Sequence, residues 1–494
     1  MIHLTKFLTA VALAFLAGGL GACSTNPATG EQSFTAFMSE EKEAQIGAEE
    51  HPKILKELGG AYDEVEIGAY VARIGAQLAK LSELPQIEWR FTVLNDHRVN
   101  AFALPGGYIY ITRGLLALAQ NEAEVAGVLA HEIGHVTARH SAQRYSTAMA
   151  ANIGLTVLGV LGSAAGVPTG IGQMANFGAQ AALQQYSQSQ ELEADMLGVR
   201  YMTRAGYSPD GMTNFFRKLK AHSELEAREQ GREGVSHNIM STHPRTEDRI
   251  IQAIDLAKQK AVKNPIVRRA AYLKKIDGLV FGDDPSQGVR RGRTFTHPSL
   301  RIAFKVPPGF VLFNSPRQVV AFGPDKSRII FDMANPKEVP KIRSLPDYVS
   351  GVWGRSLSET QGVERLDVNG LTGATMQGRL SGGDGPRDVR LIAIRAEKDK
   401  LFRFAFITKP SETQRLAVEL RRTTYSFRRL SKREAADIQP LRLRVVTARR
   451  GDTAALLAKR FPFERFQREW FQLLNNLNPN DRIRPGQKIK MVAG

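Results

Sequence analysis

Cysteine is almost absent from this chain: Cys23 is the only one among 494 residues. A single cysteine can form no disulfide within the chain, so internal disulfide cross-links are excluded as a source of stability. No internal repeat or low-complexity tract is evident either. With 43% hydrophobic residues, the chain is long enough for about two to four globular domains, each with its own core.

Acidic residues are in short supply, with 49 Asp and Glu against 67 Lys and Arg and a net charge of +18. Such a balance favours anionic partners such as nucleic acid, lipid headgroups or cell-envelope polymers. The first 23 residues narrow this choice. They hold one lysine, Lys6, an apolar run from Phe7 and small residues up to Cys23, which is the pattern of a secretory signal. Export argues against a nucleic-acid partner.

The run Leu20-Gly21-Ala22-Cys23 resembles the lipobox of bacterial lipoproteins, in which the cysteine becomes residue one and is acylated. An ordinary signal peptide cut nearby is the alternative. Acylation accounts for the lone cysteine, so we predict a signal peptide at residues 1–22 and a lipid anchor at Cys23. By the same resemblance, the serine that follows favours the outer membrane.

Changes of sequence character divide the rest of the chain. Helical periodicity marks residues 39–81, 190–204 and 211–227, and a long helix is predicted from about 121 through 140. Residues 88–96 alternate like a strand, and residues 100–112 are typical of two strands around a Pro-Gly-Gly turn. After a linker at 283–288, strand patterns predominate, with two longer strand runs near 363–380 and 388–408. A second linker at 431–440 precedes the last unit. We predict a multidomain fold with three parts, a mainly α-helical domain with a small β-sheet at 23–283, an α+β domain at 289–430 and a small βααβ domain at 441–494.

The motif HEIGHVTARH, at residues 131–140, is the strongest indication of chemistry. Residues four apart share one face of a helix, so His131 and His135 can direct their rings at one ion. Glu132, one step round the helix, can take a proton from a metal-bound water. Two imidazoles and one carboxylate suit zinc and leave a coordination position open. The motif therefore predicts a zinc peptidase with a third ligand elsewhere in the chain.

His140 is the nearest alternative ligand. The metzincin pattern needs a glycine three residues after the second histidine and a third histidine six after it, where this chain has Ala138 and Ser141. In a continuous helix His140 lies about half a turn from His131. We therefore predict that it faces away and acts as a cation at the helix C terminus.

Acidic candidates for the third ligand occur in QSQELEADMLG, at residues 188–198. Glu191 and Asp195 are four apart and share a helix face, whereas Glu193 points elsewhere. A glutamate ligand beside an aspartate that accepts a hydrogen bond from a ligand histidine is a reasonable metal site. A solvated acidic face is the alternative, although these are the first charges after 46 uncharged residues at 145–190.

Together with NAFALPGGYIYITRGLL at 100–116, these motifs resemble the gluzincin peptidases related to the CAAX prenyl protease and HtpX. The soluble, periplasmic BepA-like branch is the most similar, over residues 35–260. The resemblance implies one Zn²⁺ per chain, Glu132 as general base, Asp195 as hydrogen-bonding support, and three zinc ligands: His131, His135 and Glu191. It also implies that the strand at Asn100 borders the cleft and can pair with an extended substrate.

The run Ser241-Thr242-His243-Pro244 matches another motif of this family, in which a histidine approaches the metal. His243 either stabilises an oxyanion or occupies the open zinc position and holds the enzyme shut. Arg249, six residues later, fits the same motif and is predicted at the substrate cleft.

The uncharged residues 145–190 have two interpretations, because the integral members of this family contact the bilayer here. Four glycines between 154 and 166, then Pro168, interrupt the segment. We therefore favour buried or lid-like helices that close the cleft.

The last unit resembles a LysM module, a βααβ fold that binds glycans containing N-acetylglucosamine, such as peptidoglycan. A degenerate module used for packing within the chain is the alternative. The β-rich region at 289–430 resembles PsbP- or Mog-like α+β folds and receives no predicted role.

The sequence thus predicts a zinc metalloendopeptidase of the bacterial envelope, lipid-anchored to the outer membrane in the periplasm. Its expected substrates are unfolded or misassembled proteins, and nucleic acid is not expected as a partner. Two alternatives stay open. One is a largely latent chaperone or assembly factor for outer-membrane proteins, and the other is a peptidoglycan-associated enzyme.

Overall fold

The computed structural model describes residues 23–163, 185–230, 243, 247–259, 262–382 and 385–494. The predicted signal peptide lies outside these residues. The chain forms two compact units. The first combines residues up to Lys56 with Gly60–Leu279 and Arg442–Ala493, and the second is mainly Val280–Leu441. The first unit therefore includes both the predicted peptidase region and the predicted C-terminal module.

The first unit opens with a β-hairpin of β1 (Cys23–Thr25) and β2 (Gln32–Phe34). Two helices follow, α1 (Glu40–Glu57) and α2 (Val65–Ala79). The chain turns between them at Gly59 and Gly60, both with positive φ, a conformation that glycine adopts without steric cost. The helical pattern predicted for this region is confirmed as two helices.

A three-stranded sheet follows, made of β3 (Arg90–Leu94), β4 (Ala101–Leu104) and β5 (Tyr108–Thr112) in the order β3-β5-β4. β3 runs parallel to β5, and β4 runs antiparallel to it. Pro-Gly-Gly joins β4 to β5 as predicted, and both glycines have positive φ. Among the described strands, β4 pairs with β5 alone, so it forms one edge of this sheet.

The remaining helices of this region build the core of the first unit. They are α3 (Arg113–Leu118), α4 (Glu122–Thr137), α5 (His140–Ser163), α6 (Gln188–Arg204), α7 (Asp210–Gln230), α8 (Glu247–Gln259) and α9 (Arg269–Ile276). α4 carries the HEIGH motif and is buried along almost its whole length. Its N terminus is capped by Asn121, whose side chain accepts a hydrogen bond from the backbone N–H of Glu124.

The prediction of one helix running through His140 is wrong at its end. α4 ends at Thr137, Arg139 adopts a left-handed φ of 55°, and α5 begins at His140. The helical pattern continues across this break, so periodicity alone does not reveal it. Much of the segment predicted as lid-like helices, residues 164–184, lies outside the described residues. No helix in the described part of the chain is long and apolar enough to cross a membrane.

The second unit is an α+β structure. Its strands are β6 (Val280–Phe281), β7 (Val289–Arg291), β8 (Thr294–His297), β9 (Ile302–Lys305), β10 (Val311–Asn314), β11 (Gln318–Phe322), β12 (Arg328–Met333), β13 (Ser358–Val368), β14 (Leu371–Leu380), β15 (Arg387–Glu397), β16 (Lys400–Thr408) and β17 (Arg428–Arg429). A seven-stranded antiparallel sheet has the order β10-β11-β12-β16-β15-β14-β13, and a four-stranded sheet has the order β17-β9-β8-β7. A phenylalanine-rich core fills this unit, and helix α10 (Pro410–Ser426) packs on it.

Two long strand runs predicted at 363–380 and 388–408 are hairpins instead. β13 pairs with β14, and β15 pairs with β16. Asn369 and Gly370, with φ of 53° and 80°, reverse the chain in the first hairpin. Both arms of a hairpin alternate with the same period of two, so alternation does not show where the chain turns back.

The last segment follows a short helix, α11 (Lys432–Ala436). Its elements are β18 (Leu441–Thr447), α12 (Ala454–Ala458), α13 (Gln467–Asn475) and β19 (Lys488–Ala493). The two strands pair antiparallel, so the elements have the predicted βααβ order. Lys490 is fully buried, and its Nζ donates to the carbonyl oxygens of Ala117, Leu118 and Ala119 at 2.7, 3.2 and 2.9 Å. These hydrogen bonds attach the last segment to the C-terminal end of α3.

Candidate metal centre

The helices α4 and α6 approach each other closely at two glycines. A Cβ added to Gly134 would lie 3.0 Å from the carbonyl oxygen of Ala194, and one added to Gly198 would lie 3.2 Å from the backbone nitrogen of His131. Only a residue without a side chain permits such close backbone contact. This packing brings the HEIGH motif against the carboxylates of α6.

Four buried side chains meet at this contact: His131, His135, Glu191 and His243. Each offers one ligand atom, and these atoms all lie within 4.8 Å of one another. The Nε2 atoms of His131 and His135 are 3.1 Å apart. Glu191 places Oε1 at 3.4 Å from His135 Nε2 and Oε2 at 3.7 Å from His131 Nε2. Glu191 is therefore the α6 carboxylate that lies against the histidine pair.

The spacing and chemistry of these atoms fit zinc. Four ligands bonded at about 2.0–2.1 Å in a tetrahedron are separated by about 3.3–3.4 Å from one another. The distances among His131, His135 and Glu191 fall around that value. His243 Nδ1 lies 3.3 Å from His131 Nε2, although only 2.7 Å from Glu191 Oε1. Imidazole nitrogens and a carboxylate are ligands that zinc accepts in proteins, so the cluster is compatible with a zinc ion.

Two further side chains support the cluster from behind. Asp195 Oδ1 lies 2.8 Å from His131 Nδ1, so it can accept the proton on that nitrogen and direct Nε2 at the cluster. Arg249 is fully buried, donates from Nε to Asp195 Oδ2 at 2.9 Å and places Nη2 at 2.8 Å from the same oxygen as an ion pair. Its Nη1 also contacts Glu191 Oε2.

The position of Arg249 corrects one prediction. The sequence placed it at the substrate cleft, whereas the structure buries it against two carboxylates. A guanidinium with donors on two edges suits two adjacent carboxylates, so Arg249 neutralises and positions the ligand-bearing face of α6. Its partners lie more than 50 residues away in sequence, which is why the motif alone did not identify them.

Electrostatics favour the protonation states that a metal needs. Burial holds the pKa of His135 well below its usual value, which keeps the imidazole neutral. Burial also raises the pKa of the Glu191 carboxyl, but the charge of His243 and the hydrogen bonds of His135 and His243 outweigh that effect. The pKa of Glu191 is therefore well below its ordinary value, and the carboxylate is ionised.

His140 does not face away, contrary to the prediction. Its Nδ1 lies 2.8 Å from Nδ1 of His135, and its Nε2 lies 3.2 Å from Glu193 Oε2. The break at Arg139 rotates His140 back toward the motif, so the estimate of half a helical turn does not apply. His140 is not among the four potential ligands, so excluding it as the third ligand stands.

Tyr186 is a site residue that sequence reasoning missed. Its ring stacks on His135 with a centroid distance of 3.7 Å and an interplanar angle of 16°. The guanidinium of Arg144 lies 3.8 Å over the same tyrosine ring. Tyr186 directly precedes Ser187, the N-cap of α6, but nothing in its sequence context distinguishes it from a loop tyrosine.

Three other residues that the sequence singled out have the following positions. Glu132 is fully buried, and its Oε1 lies 3.7 Å from His243 Nε2. Asn100 directly precedes β4, and its backbone pairs with Thr112 at the end of β5. Its side-chain oxygen has no hydrogen-bond partner among the described residues. The backbone of Cys23 begins β1.

A helix-borne HExxH pair completed by a glutamate from a second helix is the metal-binding arrangement of a class of metallopeptidases. Comparison with protein families agrees, because residues 68–257 match the model of peptidase family M48. This part of the chain therefore resembles the peptidase domain of family M48 and has the side chains of a metallopeptidase site.

The chain is 32% identical over 228 residues to the beta-barrel assembly-enhancing protease of Yersinia pestis, which covers 44% of this chain and 45% of that protein. It is 29% identical over 198 residues to the mitochondrial metalloendopeptidase OMA1 of Schizosaccharomyces pombe, covering 39% and 54%. The chain thus spans about half the length of the curated relatives it matches. The solution structure of cyanobacterial PsbP from Synechocystis sp. PCC 6803 aligns with 30% of this chain and 98% of its own at 13% identity, with a TM-score of 0.21. A score this low supports no conclusion.

Proposed function

We propose that this protein is a zinc-dependent endopeptidase of the bacterial cell envelope. We further propose that it hydrolyses unfolded or misassembled proteins as part of outer-membrane protein quality control. The observation that carries the proposal is the convergence of His131, His135 and Glu191, with one ligand atom from each in a buried cluster. Relatives named beta-barrel assembly-enhancing protease support the envelope setting.

The residues have distinct roles in this proposal. His131, His135 and Glu191 hold the ion, and zinc bound there supplies Lewis-acid chemistry that lowers the pKa of a water and polarises a carbonyl. Glu132 is the general base: it takes the proton of the attacking water and delivers it to the leaving amine nitrogen. Its burial keeps that carboxylate away from bulk water.

The substrate main chain is proposed to lie along β4. This strand packs on α4, which carries the HEIGH motif, and within the described sheet it has a partner on one side only. An extended peptide can add to such an edge through backbone hydrogen bonds, with little dependence on its sequence. Asn100 lies at the start of this edge, and its buried side-chain oxygen accepts no hydrogen bond from the described residues. This mode suits unfolded substrates, which can adopt extended conformations.

A latent form is the second candidate, and the position of His243 favours it. Its Nδ1 lies as close to Glu191 and His131 as a fourth ligand would. With four protein ligands a zinc site has no open position, so peptide hydrolysis requires His243 to move aside. In the closed form the protein acts as a chaperone or assembly factor for outer-membrane proteins.

Two features of the chain bear on its location and its partners. We propose that Cys23 carries a lipid anchor in the outer membrane after removal of residues 1–22, which leaves the protein in the periplasm. We also propose that the βααβ segment at the C terminus is a LysM-like module. Its packing on α3 through Lys490 favours a role within the chain over glycan binding, and a peptidoglycan-associated enzyme is the third candidate.

The test compares the purified mature protein with Glu132→Gln and His243→Ala variants. We expect about one zinc per chain by mass spectrometry of metal content in all three. Glu132→Gln should reduce hydrolysis of casein and of a misfolded barrel protein by about 10²–10⁴-fold, whereas His243→Ala should increase it. Glu49→Gln, on the exposed side of α1, is the matched control.

Each outcome separates the candidates. Absence of zinc from the wild-type protein, or full activity of Glu132→Gln, would contradict the peptidase proposal. Zinc without hydrolysis until His243 is removed favours the latent form. Release of muropeptides from peptidoglycan would instead support the third candidate.

A further inference from the structure

The side of His135 that faces away from the metal cluster is bonded to a row of polar side chains. His135 Nδ1 lies 2.8 Å from His140 Nδ1, and His140 Nε2 lies 3.2 Å from Glu193 Oε2. The other oxygen of Glu193 accepts a hydrogen bond of 2.7 Å from Asn26 Nδ2. The row therefore connects a candidate metal ligand to the N-terminal hairpin, which consists of β1, β2 and the turn between them.

The protons along this row have only one consistent arrangement when His135 offers Nε2 to a metal. Its Nδ1 then carries the proton and donates to His140 Nδ1. His140 in turn carries its proton on Nε2 and donates to the Glu193 carboxylate. The amide of Asn26 must also donate to Glu193, because its Oδ1 already accepts from the backbone N–H of Ala28 at 2.9 Å.

The N-terminal hairpin holds Asn26 firmly in this position. Asn26 is buried, with only 3% of its surface exposed. Its backbone N–H donates to Glu31 O at 2.7 Å, and its own carbonyl accepts from Gly30 at 2.8 Å. Arg200 on α6 donates to the carbonyl of Ala28 at 3.0 Å. The hairpin thus docks on the helix that also provides Glu191.

The Nδ1 atoms of the two ligand histidines are consequently supported in different ways. Nδ1 of His131 lies against the carboxylate of Asp195, whereas Nδ1 of His135 is connected to the Glu193 carboxylate through His140. Hydrogen bonds of this kind fix the tautomer and the ring orientation of a ligand histidine, and their loss typically weakens metal binding about 10–100-fold. The support of His135 depends on a segment more than 100 residues away in sequence.

We propose that His140, Glu193 and Asn26 are positioning residues for the metal site, and that docking of the N-terminal hairpin completes it. This inference rests on the proposed zinc function. A purely structural role for the row makes a different prediction: the metal-free protein loses stability while the affinity of the folded protein for zinc is unchanged.

The test uses the full mature chain and four variants. His140→Phe keeps a ring but removes the acceptor for His135, and His140→Asn restores an acceptor near the Nδ1 position. Asn26→Ala disconnects the hairpin. Gln32→Ala is its matched control, because Gln32 is exposed on the same hairpin and bonds only Thr25 among the described contacts.

Three measurements are made on each variant: the zinc dissociation constant by chelator competition, the absorption spectrum of the Co²⁺-substituted protein, and thermal unfolding of the metal-free protein. We expect His140→Phe to bind zinc about 10-fold or more weakly and to alter the Co²⁺ spectrum. Asn26→Ala should shift both in the same direction by a smaller factor. His140→Asn and Gln32→Ala should stay close to the wild type.

The inference is overturned if His140→Phe and Asn26→Ala retain wild-type zinc affinity and Co²⁺ spectra. If His140→Phe does not fold, the comparison of Asn26→Ala with Gln32→Ala decides the question. Failure of the proposed function has a different signature, since the wild-type protein itself would then bind no zinc at the cluster.

Discussion

At the scale of single residues, Arg249 contributes to the stability of the site although we assign it no part in the reaction. It is fully buried and bonded to both Glu191 and Asp195. Without its positive charge, two buried carboxylates would face each other with less compensation, and breaking a buried ion pair typically costs about 3–5 kcal/mol.

We therefore expect Arg249→Met to lower the free energy of unfolding of the metal-free protein by about that amount. Chemical denaturation, with and without zinc, is the measurement. Added zinc should recover part of the loss, since the ion supplies positive charge at the same carboxylates. Arg249→Lys is the control that keeps the charge but not the second bonding edge. If Arg249→Met lowers the free energy of unfolding by less than about 1 kcal/mol, Arg249 does not stabilise the site in the way proposed.

The buried carboxyl of Glu43 should make the stability of the protein depend on pH. It lies on α1, and its Oε2 accepts from Nε of Arg139 at 2.8 Å, beside the break between α4 and α5. Burial raises the pKa of Glu43 to about 7 in spite of that arginine. The unfolded chain releases the proton near the ordinary value, so stability from this group is fully present below about pH 4.5 and is lost as the pH rises through about 7.

Glu43→Gln removes this titration. The unfolding free energy of the wild type, minus that of the variant, should fall by about 1.4 kcal/mol per pH unit between about pH 4.5 and 7, and then level off. Denaturation at a series of pH values provides the measurement, with Glu49→Gln on the exposed face of α1 as control. A flat difference, or a rise with pH, would contradict the raised pKa.

At the scale of elements, the metal cluster depends on how closely α4 and α6 pack. Gly134 faces the backbone of Ala194, one residue before Asp195. We expect Gly134→Val to push α6 away from the HEIGH motif, which should lower zinc affinity about 10-fold or more and destabilise the protein by about 1–3 kcal/mol.

Chelator competition and thermal unfolding measure the two effects. Gly68 on α2 is the matched control, because a Cβ there meets nothing within 4 Å. Gly68→Ala should leave zinc affinity unchanged. If Gly134→Val binds zinc as tightly as the wild type, close packing of these helices is not what brings Glu191 to the histidines.

At the scale of the whole molecule, the second unit is inserted into the first. The chain leaves the first unit after Leu279 and returns to it at Arg442. The returning segment is fixed by buried contacts: Lys490 binds the last carbonyls of α3, and Gln120 Nε2 donates to the carbonyl of Leu474. Trp470 Nε1 also donates to Glu229 at 2.5 Å.

This topology predicts the result of a cut between the units. After cleavage at a protease site engineered at 437–439, where the chain is largely exposed, the C-terminal fragment should still elute with the rest of the protein in size-exclusion chromatography. Lys490→Met should weaken this association, because three buried carbonyls lose their donor. Lys488→Met, on the exposed face of β19, is the control. Separate elution of the wild-type fragment would show that the segment is an independent module.

Much of the fold follows from local patterns. The helices and strands of residues 39–137 and 188–230 were predictable because periodicities of 3.6 and 2 are properties of a short stretch of chain. The predictions failed where the chain changes direction without changing its pattern, at Arg139 and in the two hairpins of β13–β16. A left-handed arginine such as Arg139 carries no reliable sequence signal. The Asn369-Gly370 pair, in contrast, is a sequence signal of a hairpin that the interpretation as one long run did not use.

The sequence by itself determined the chemistry of the site: the spacing of His131, Glu132 and His135 fixes their relation on one helix, and resemblance identified Glu191 and Asp195. Only the tertiary structure decided what stands behind those residues. The pairing of Arg249 with α6, the stacking of Tyr186 on His135 and the row from His140 to Asn26 all join distant segments. Such contacts depend on how helices pack, and packing is set by the whole core rather than by any one stretch of sequence.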